Sequence, residues 1–152
     1  MDKVQQTIIM ISRFPDGNGG FKKLRTGKLV AQGAHSSMAF LSQKFRNSTK
    51  KKISGIDESG NYFEEYIDIP EPLTEEEELW IQNSFTKICL YVDSEEELLD
   101  IYEKAKLSDL TAHLITDSGL TEFNGIPTIT CLALGPHFKS KFDPLTKDLK
   151  LF

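Results

Sequence analysis

The sequence predicts an α/β domain of three layers, a four-stranded mixed sheet with helices on both faces. Apolar strand-like runs alternate with helical periodicity in the order strand, helix, excursion, strand, helix, strand, strand, a pattern that lays helices on each side of a sheet. The last two strands are joined by a loop with no helix in it, which makes the sheet mixed. A chain of 152 residues suits a single domain spanning 1–152 around one core, with 47–83 as an irregular acidic insertion.

"VQQTIIMIS" is Ile-rich and reads as a strand buried on both faces. "RFPDGNGGFKKLRTG" is a loop punctuated by Pro15, Asp16 and glycines. Thr26 is placed to cap a helix running to about Phe45 or Arg46. The stretch 47–83 is the least regular, a hairpin or excursion followed by a short helix beginning at Thr74. "SFTKICLYV" alternates and is β-branched, so it is a strand. In "DSEEELLDIYEKAKL" Ser94 and Glu97 form a capping box, and Leu98, Ile101, Tyr102 and Ala105 form the apolar stripe. "LTAHLIT" and "TITCLALGP" are the remaining strands, and "DPLTKDLKLF" ends as a turn or short helix and an extended tail.

A hydrophobic share of 39% with 27% charged residues is that of a water-soluble globular fold. No apolar run approaches the ~20 residues that span a bilayer, and "MDKVQQTIIMISRF" reads as a strand rather than a signal peptide, so no membrane role is expected. Cys89 and Cys131 lie far apart in apolar runs and read as core residues of a reduced, cytoplasmic protein. The net charge of −5 hides an asymmetry: residues 1–52 carry +9, residues 53–110 carry −14 and the remainder is neutral. Lys22, Lys23 and Arg25 precede the first helix, and Lys44, Arg46 and Lys50 to Lys52 follow its middle. This split suggests one basic face for a polyanion, set apart from Glu75 to Glu78 and Glu95 to Glu97. An ordinary solvated charged surface explains it equally well.

In open α/β sheets ligands bind beyond the carboxyl ends of strands, near helix N-termini. Two polar segments qualify. The helix start "TGKLVAQGAH" carries Lys28, Gln32 and His35 at spacings of four and three, on one face. "ITDSGLTEFNGIPT" carries Asp117 and Thr121, with Thr128 and Thr130 where the chain re-enters the sheet. If the first and third strands run parallel, this loop faces Lys28. A lysine and an aspartate flanked by hydroxyls can position water and stabilise an oxyanion. "TDSG" also reads as a plain turn, so spacing alone leaves both readings open. The histidines (His35, His113, His137) lack metal-ligand spacing, and no metal or phosphate-binding motif occurs. His113, in a strand, and His137, in a loop after "GP", read as structural.

"GKLVAQGAH" resembles the GK-x-A-A-Q-x-A-H signature of the archaeal and eukaryotic-type (type 2) peptidyl-tRNA hydrolases. "ITDSGLTEF" is similar to that family's I-x-D-A-G-x-T-Q segment, "TCLALGP" to its T-V-L-A-I-G-P strand and "DPLTKDLKLF" to its ending. The resemblance covers most of 6–46 and 84–152 in the right order. It implies metal-independent, cofactor-free hydrolysis of the ester joining a peptide to the 3′ ribose of tRNA, in a four-stranded mixed sheet and often a homodimer. It implies catalytic positions at Lys28, Asp117, Thr121 and Thr130, and Gln32 and His35 fall on its helix signature as substrate contacts; the charge pattern adds Lys22, Lys23 and Arg25. There are departures. The Arg13–Lys28 loop is longer than the family's turn, Glu122 replaces a Gln, the segment from Glu122 to Thr130 is one residue longer, and the acidic excursion is larger. They leave a second reading, a catalytically weak relative that binds tRNA or a protein.

Overall fold

In the computed structural model, which describes residues 2–152, Val4–Ile11 forms β1 and a short ribbon follows, β2 at Phe14–Pro15 and β3 at Phe21–Lys22. Helix α1 covers Thr26–Arg46, strands β4 and β5 cover Thr49–Ile56 and Tyr62–Ile69, and α2 covers Glu75–Gln82. Then come β6 at Lys87–Val92, α3 at Glu95–Leu107, β7 at Ala112–Asp117 and β8 at Thr128–Phe138. The chain ends with α4 at Lys139–Thr146 and β9 at Lys150–Leu151. These elements fall into two compact units, one running to Phe40 and resuming at Thr74, the other Leu41–Leu73.

The first unit holds the main sheet, ordered β7-β8-β1-β6-β9. It has five strands where the sequence reading expected four, because the tail pairs Leu151 with Leu90 and Lys150 with Tyr91 along the edge of β6. The sheet is mixed, with helices on both faces: β1 is parallel to β6 and antiparallel to β8, and β8 is antiparallel to β7. β1 and β7 therefore point the same way, which brings their carboxyl ends to one edge. β1 is buried almost throughout. Its alternation sends Ile9 and Ile11 into the larger cluster with Leu98, Ile101 and Ala105 of α3 and Phe142 of α4. Ile8 and Met10 turn the other way, against Cys131 and Leu29 of α1.

Local chemistry accounts for the helix starts. Ser94 Oγ accepts the Glu97 N–H at 3.2 Å, and the Glu97 carboxylate takes the Asp93 N–H at 2.8 Å, one residue short of a full capping box. Thr74 and Glu77 complete a reciprocal box on α2. Two expectations are corrected. Cys89 is exposed, because β6 lies next to the sheet edge and its alternate residues turn outward there. His137 is not in a loop. β8 continues through Gly135–Pro136 to Phe138, where His137 Nε2 accepts the Thr111 N–H at 2.8 Å and Nδ1 meets Glu76 at 3.2 Å.

In the second unit the insertion is regular rather than irregular. β4 and β5 pair antiparallel from Thr49 opposite Ile69 to Ile56 opposite Tyr62. Asp57 Oδ1 closes their turn by accepting the N–H groups of Ser59 and Asn61 at 2.8 and 2.9 Å. Lys52 pairs with Glu64 at 2.8 Å, so the basic run is laid against an acidic strand.

Candidate active site

The carboxyl end of β7 and the first turns of α1 meet around Asp117. Its side chain is buried and its two oxygens have different work. Oδ1 accepts the Gly119 N–H at 2.8 Å, the expected turn. Oδ2 receives Lys28 Nζ at 2.5 Å and Gln32 Nε2 at 3.0 Å. Desolvation pushes the Asp117 carboxyl up, but the hydrogen bonds from Lys28, Gly119 and Gln32 and the lysine charge outweigh it and hold the group below the ordinary carboxylate range. The carboxylate is thus ionised at neutral pH. The turn and the ion pair coexist in one residue.

Lys28 Nζ also donates to Thr121 Oγ1 at 3.3 Å. An ammonium has three donors, so after Asp117 and Thr121 one remains for a ligand. Below the pair, Gln32 is fully enclosed, and the buried Thr130 hydroxyl donates to its Oε1. That bond fixes the amide so that its NH₂ faces Asp117. Thr130 reaches this place through an irregularity in the ladder. Ile115 lies opposite Cys131 and Thr116 opposite Ile129, which leaves Thr130 as the extra residue of β8. Such a bulge re-aims a side chain beside a site. Cys131 and Ser36 pack beneath, with Sγ and Oγ 2.9 Å apart.

The loop after Asp117 is drawn tight. Gly119 has φ +78° and its α-carbon faces the Ile126 carbonyl so closely that an added Cβ would stand 2.0 Å from that oxygen. The N–H groups of Phe123 and Gly125 both return to the Gly119 carbonyl. This closure presents Thr121 to Lys28. Thr128 Oγ1 donates to the Ile126 carbonyl at 2.9 Å, so it fastens the end of the loop.

Lys28, Gln32, Asp117, Thr121 and Thr130 are therefore brought together, and the other residues singled out lie differently. His35 is exposed. At about 100° per residue it lies on the solvent side of Gln32, and Ser36 takes the inward place. Arg25 Nε bonds Glu122 at 2.7 Å and neutralises the carboxylate that replaces the family's Gln. Lys22 donates to the Glu122 carbonyl and lies over the Phe123 ring, 5.0 Å from its centroid. It also lines one cavity with Glu95 and Glu96, so the basic segment is not set apart from the acidic helix start as the charge pattern suggested. Lys23 is exposed. The sequence reading missed the Arg25–Glu122 pair, which no spacing signals. Among the described residues no three of His, Cys, Asp or Glu gather as a metal-binding group.

Comparison with known proteins gives the family. The family model described as "Peptidyl-tRNA hydrolase PTH2" matches residues 6–152. A peptidyl-tRNA hydrolase of Methanopyrus kandleri is 36% identical over 133 residues, covering 87% of this chain and 90% of that protein. That of Methanothermobacter thermautotrophicus is 40% identical over 131 residues, covering 85% and 89%. That of Methanocaldococcus jannaschii is 31% identical over 125 residues, covering 82% and 86%. A match along nearly the whole chain, with relatives spanned almost end to end, means that this chain belongs to the PTH2 family of peptidyl-tRNA hydrolases.

Proposed function

We propose that this chain hydrolyses the ester between a peptide and the 3′ ribose of tRNA, releasing free tRNA, with Lys28 and Asp117 as the reacting pair. Family membership supports the reaction, and the 2.5 Å contact between a lysine and a mostly buried carboxylate supports the assignment. Water attacks the ester carbonyl, the carbonyl oxygen takes up negative charge, and the tetrahedral species expels the ribose 3′ oxygen, which takes up the proton that the attacking water gives up. The free N–H of Lys28 donates to the oxyanion. The Asp117 carboxylate holds Lys28 in place and accepts a hydrogen bond from the attacking water. Its lowered basicity suits orientation better than full proton removal. Thr121 holds the water or the terminal ribose. Gln32 and Thr130 keep Asp117 from rotating.

Lys23 and Arg25, both exposed, suit phosphate contacts, and the exposed His35, one helical turn from Gln32, is kept as a substrate contact. Lys22 supports the substrate side by holding the Glu122 carbonyl. The whole of 1–152 acts as one functional domain carrying the acidic insertion at about 47–83. The family resemblance supports a homodimer in the cytoplasm, which sedimentation equilibrium and cell fractionation check. No helix among the described residues is long and apolar enough to cross a membrane.

The deciding experiment is single-turnover hydrolysis of an N-acetyl-aminoacyl-tRNA, with free aminoacyl-tRNA as comparison. Release of tRNA by the wild-type chain, slowed about 100-fold or more in Lys28→Ala and Asp117→Ala, is the expected result. Binding of tRNA with no hydrolysis would move the chain to the second reading, a binding relative.

A further inference from the structure

The carboxyl ends of β1 and β6, the β2–β3 ribbon and the loop after Asp117 enclose a cavity of 570 Å³, within the range of about 300–1,000 Å³ common for small-molecule pockets. The hydrolytic centre does not occupy it, yet the two are adjacent. Phe123 lines the cavity and Thr121 faces Lys28, and two residues of extended chain span at most about 7 Å. Thr128 also lines it and is the register partner of Asp117. A chain attached to an ester carbonyl at Lys28 reaches the cavity within one or two residues.

Its interior is apolar. Ile11, Phe14 and Phe123 are buried along it, and the two rings meet edge-on with centroids 5.0 Å apart. Phe21 and Ile126 also line it yet are 59% and 64% exposed, an arrangement that leaves apolar surface facing water until something fills the space. Its charged lining is lopsided. Asp16, Asp93, Glu95 and Glu96 oppose only Arg13 and Lys22. Both cations are engaged, Arg13 over the Phe21 ring at 4.4 Å and Lys22 on Phe123 and the Glu122 carbonyl. A phosphate-bearing nucleotide is repelled by such a lining, and a neutral or cationic peptide is not.

We propose that this cavity receives the acyl arm of the substrate, taking the apolar or aromatic side chain of the residue at the scissile ester and rejecting acidic ones. The assignment rests on the reading of Lys28 and Asp117 as the reacting pair.

The test compares kcat/KM for N-acetyl-aminoacyl esters of one tRNA carrying phenylalanine, leucine, glycine or aspartate. Burial of an aromatic or branched side chain predicts that phenylalanine and leucine exceed glycine by about 10- to 100-fold, with aspartate slowest. The double variant Phe21→Ala/Ile126→Ser brings the phenylalanine-to-glycine ratio towards one. Glu95→Gln/Glu96→Gln raises aspartate relative to glycine. Equal rates for all four esters, or ratios that neither variant changes, overturn the proposal while leaving the hydrolytic reading intact. If no ester is cleaved, the hydrolytic reading fails instead, and amide-shift mapping with N-acetyl-phenylalaninamide decides the cavity separately. Shifts gathered at Phe14, Phe21, Phe123 and Ile126 support an apolar-residue subsite, and shifts elsewhere or none overturn it.

Discussion

Asp117 ties loop shape and charge to one carboxylate, so its substitutions separate by which oxygen they spare. Asp117→Ala and Lys28→Ala are expected to lower the single-turnover rate by about 100-fold or more, the scale of removing an acid–base or oxyanion group. Asp117→Asn retains an acceptor for Gly119 but loses the charge that holds Lys28, so its rate falls while its circular dichroism stays wild-type. Gln32→Leu acts on stability. It leaves the Thr130 hydroxyl only the longer bond to the Ile115 carbonyl at 3.3 Å and takes a donor from the buried Asp117, and is expected to cost about 1–3 kcal/mol in urea denaturation. His35→Ala, at an exposed position, is expected to change the rate far less than either catalytic variant. Lys28 and Asp117 were legible in the sequence because strand ends and helix starts are where polar residues converge. His35 lies exposed because a spacing of three from Gln32 turns towards solvent, whereas four leads to the buried Ser36.

At the scale of elements, signals that are local in sequence were readable and those that exist only through pairing were not. The capped, periodic α3 needed nothing beyond its own residues, and its stripe of Leu98, Ile101 and Ala105 is the buried one. β9 is two residues whose strand character comes from lying against β6. "GP" reads as a break, yet β8 runs through it because β1 pairs on both sides, at Leu134 and His137. The β4–β5 hairpin lacked a readable pattern because its strands are almost wholly exposed and burial imposes no period on them. That exposure carries an expectation. Isolated two-stranded ribbons are marginally stable, so the β4–β5 amides should exchange with deuterium well before those of β1 and β8. Equal protection in hydrogen-exchange mass spectrometry would contradict it.

For the whole molecule, pH and salt act through charges placed far apart in sequence. Desolvation lowers the His137 pKa, helped by the Lys141 charge and opposed by Glu76. The neutral ring is also what lets Nε2 accept from Thr111. The unfolded chain therefore takes up a proton near its ordinary value of about 6.5 while the folded chain resists it. This contribution is fully present above pH 6.5 and is lost as pH falls towards the lower folded value. The melting temperature should decline on going from pH 7 to 5, and His137→Gln should flatten that decline. Asp117 and Glu76, both held below the usual carboxylate range, add losses of the same sign at lower pH. Salt reads the grip on tRNA. Each phosphate that Lys23→Gln/Arg25→Gln no longer neutralises should reduce the slope of log affinity against log salt by about 0.7–0.9. An unchanged slope would assign those residues to solvent alone.

The extra residue at Thr130 gives β8 a phase. On the sheet side of the bulge Cys131 to Leu134 alternate in step with β1, and on the loop side Ile129 and Thr128 alternate in step with the end of β7. Removing a single residue between Ile129 and Cys131 would merge the two phases and still leave a well-paired strand, with no hydroxyl under Gln32. Length changes in the 120–126 loop, by contrast, pass through a segment that pairs with neither strand. Descendants of this chain keep the count of residues in β8 fixed as long as the chemistry is kept, and a longer 120–126 loop must still return to the Gly119 carbonyl to hold Thr121 at Lys28.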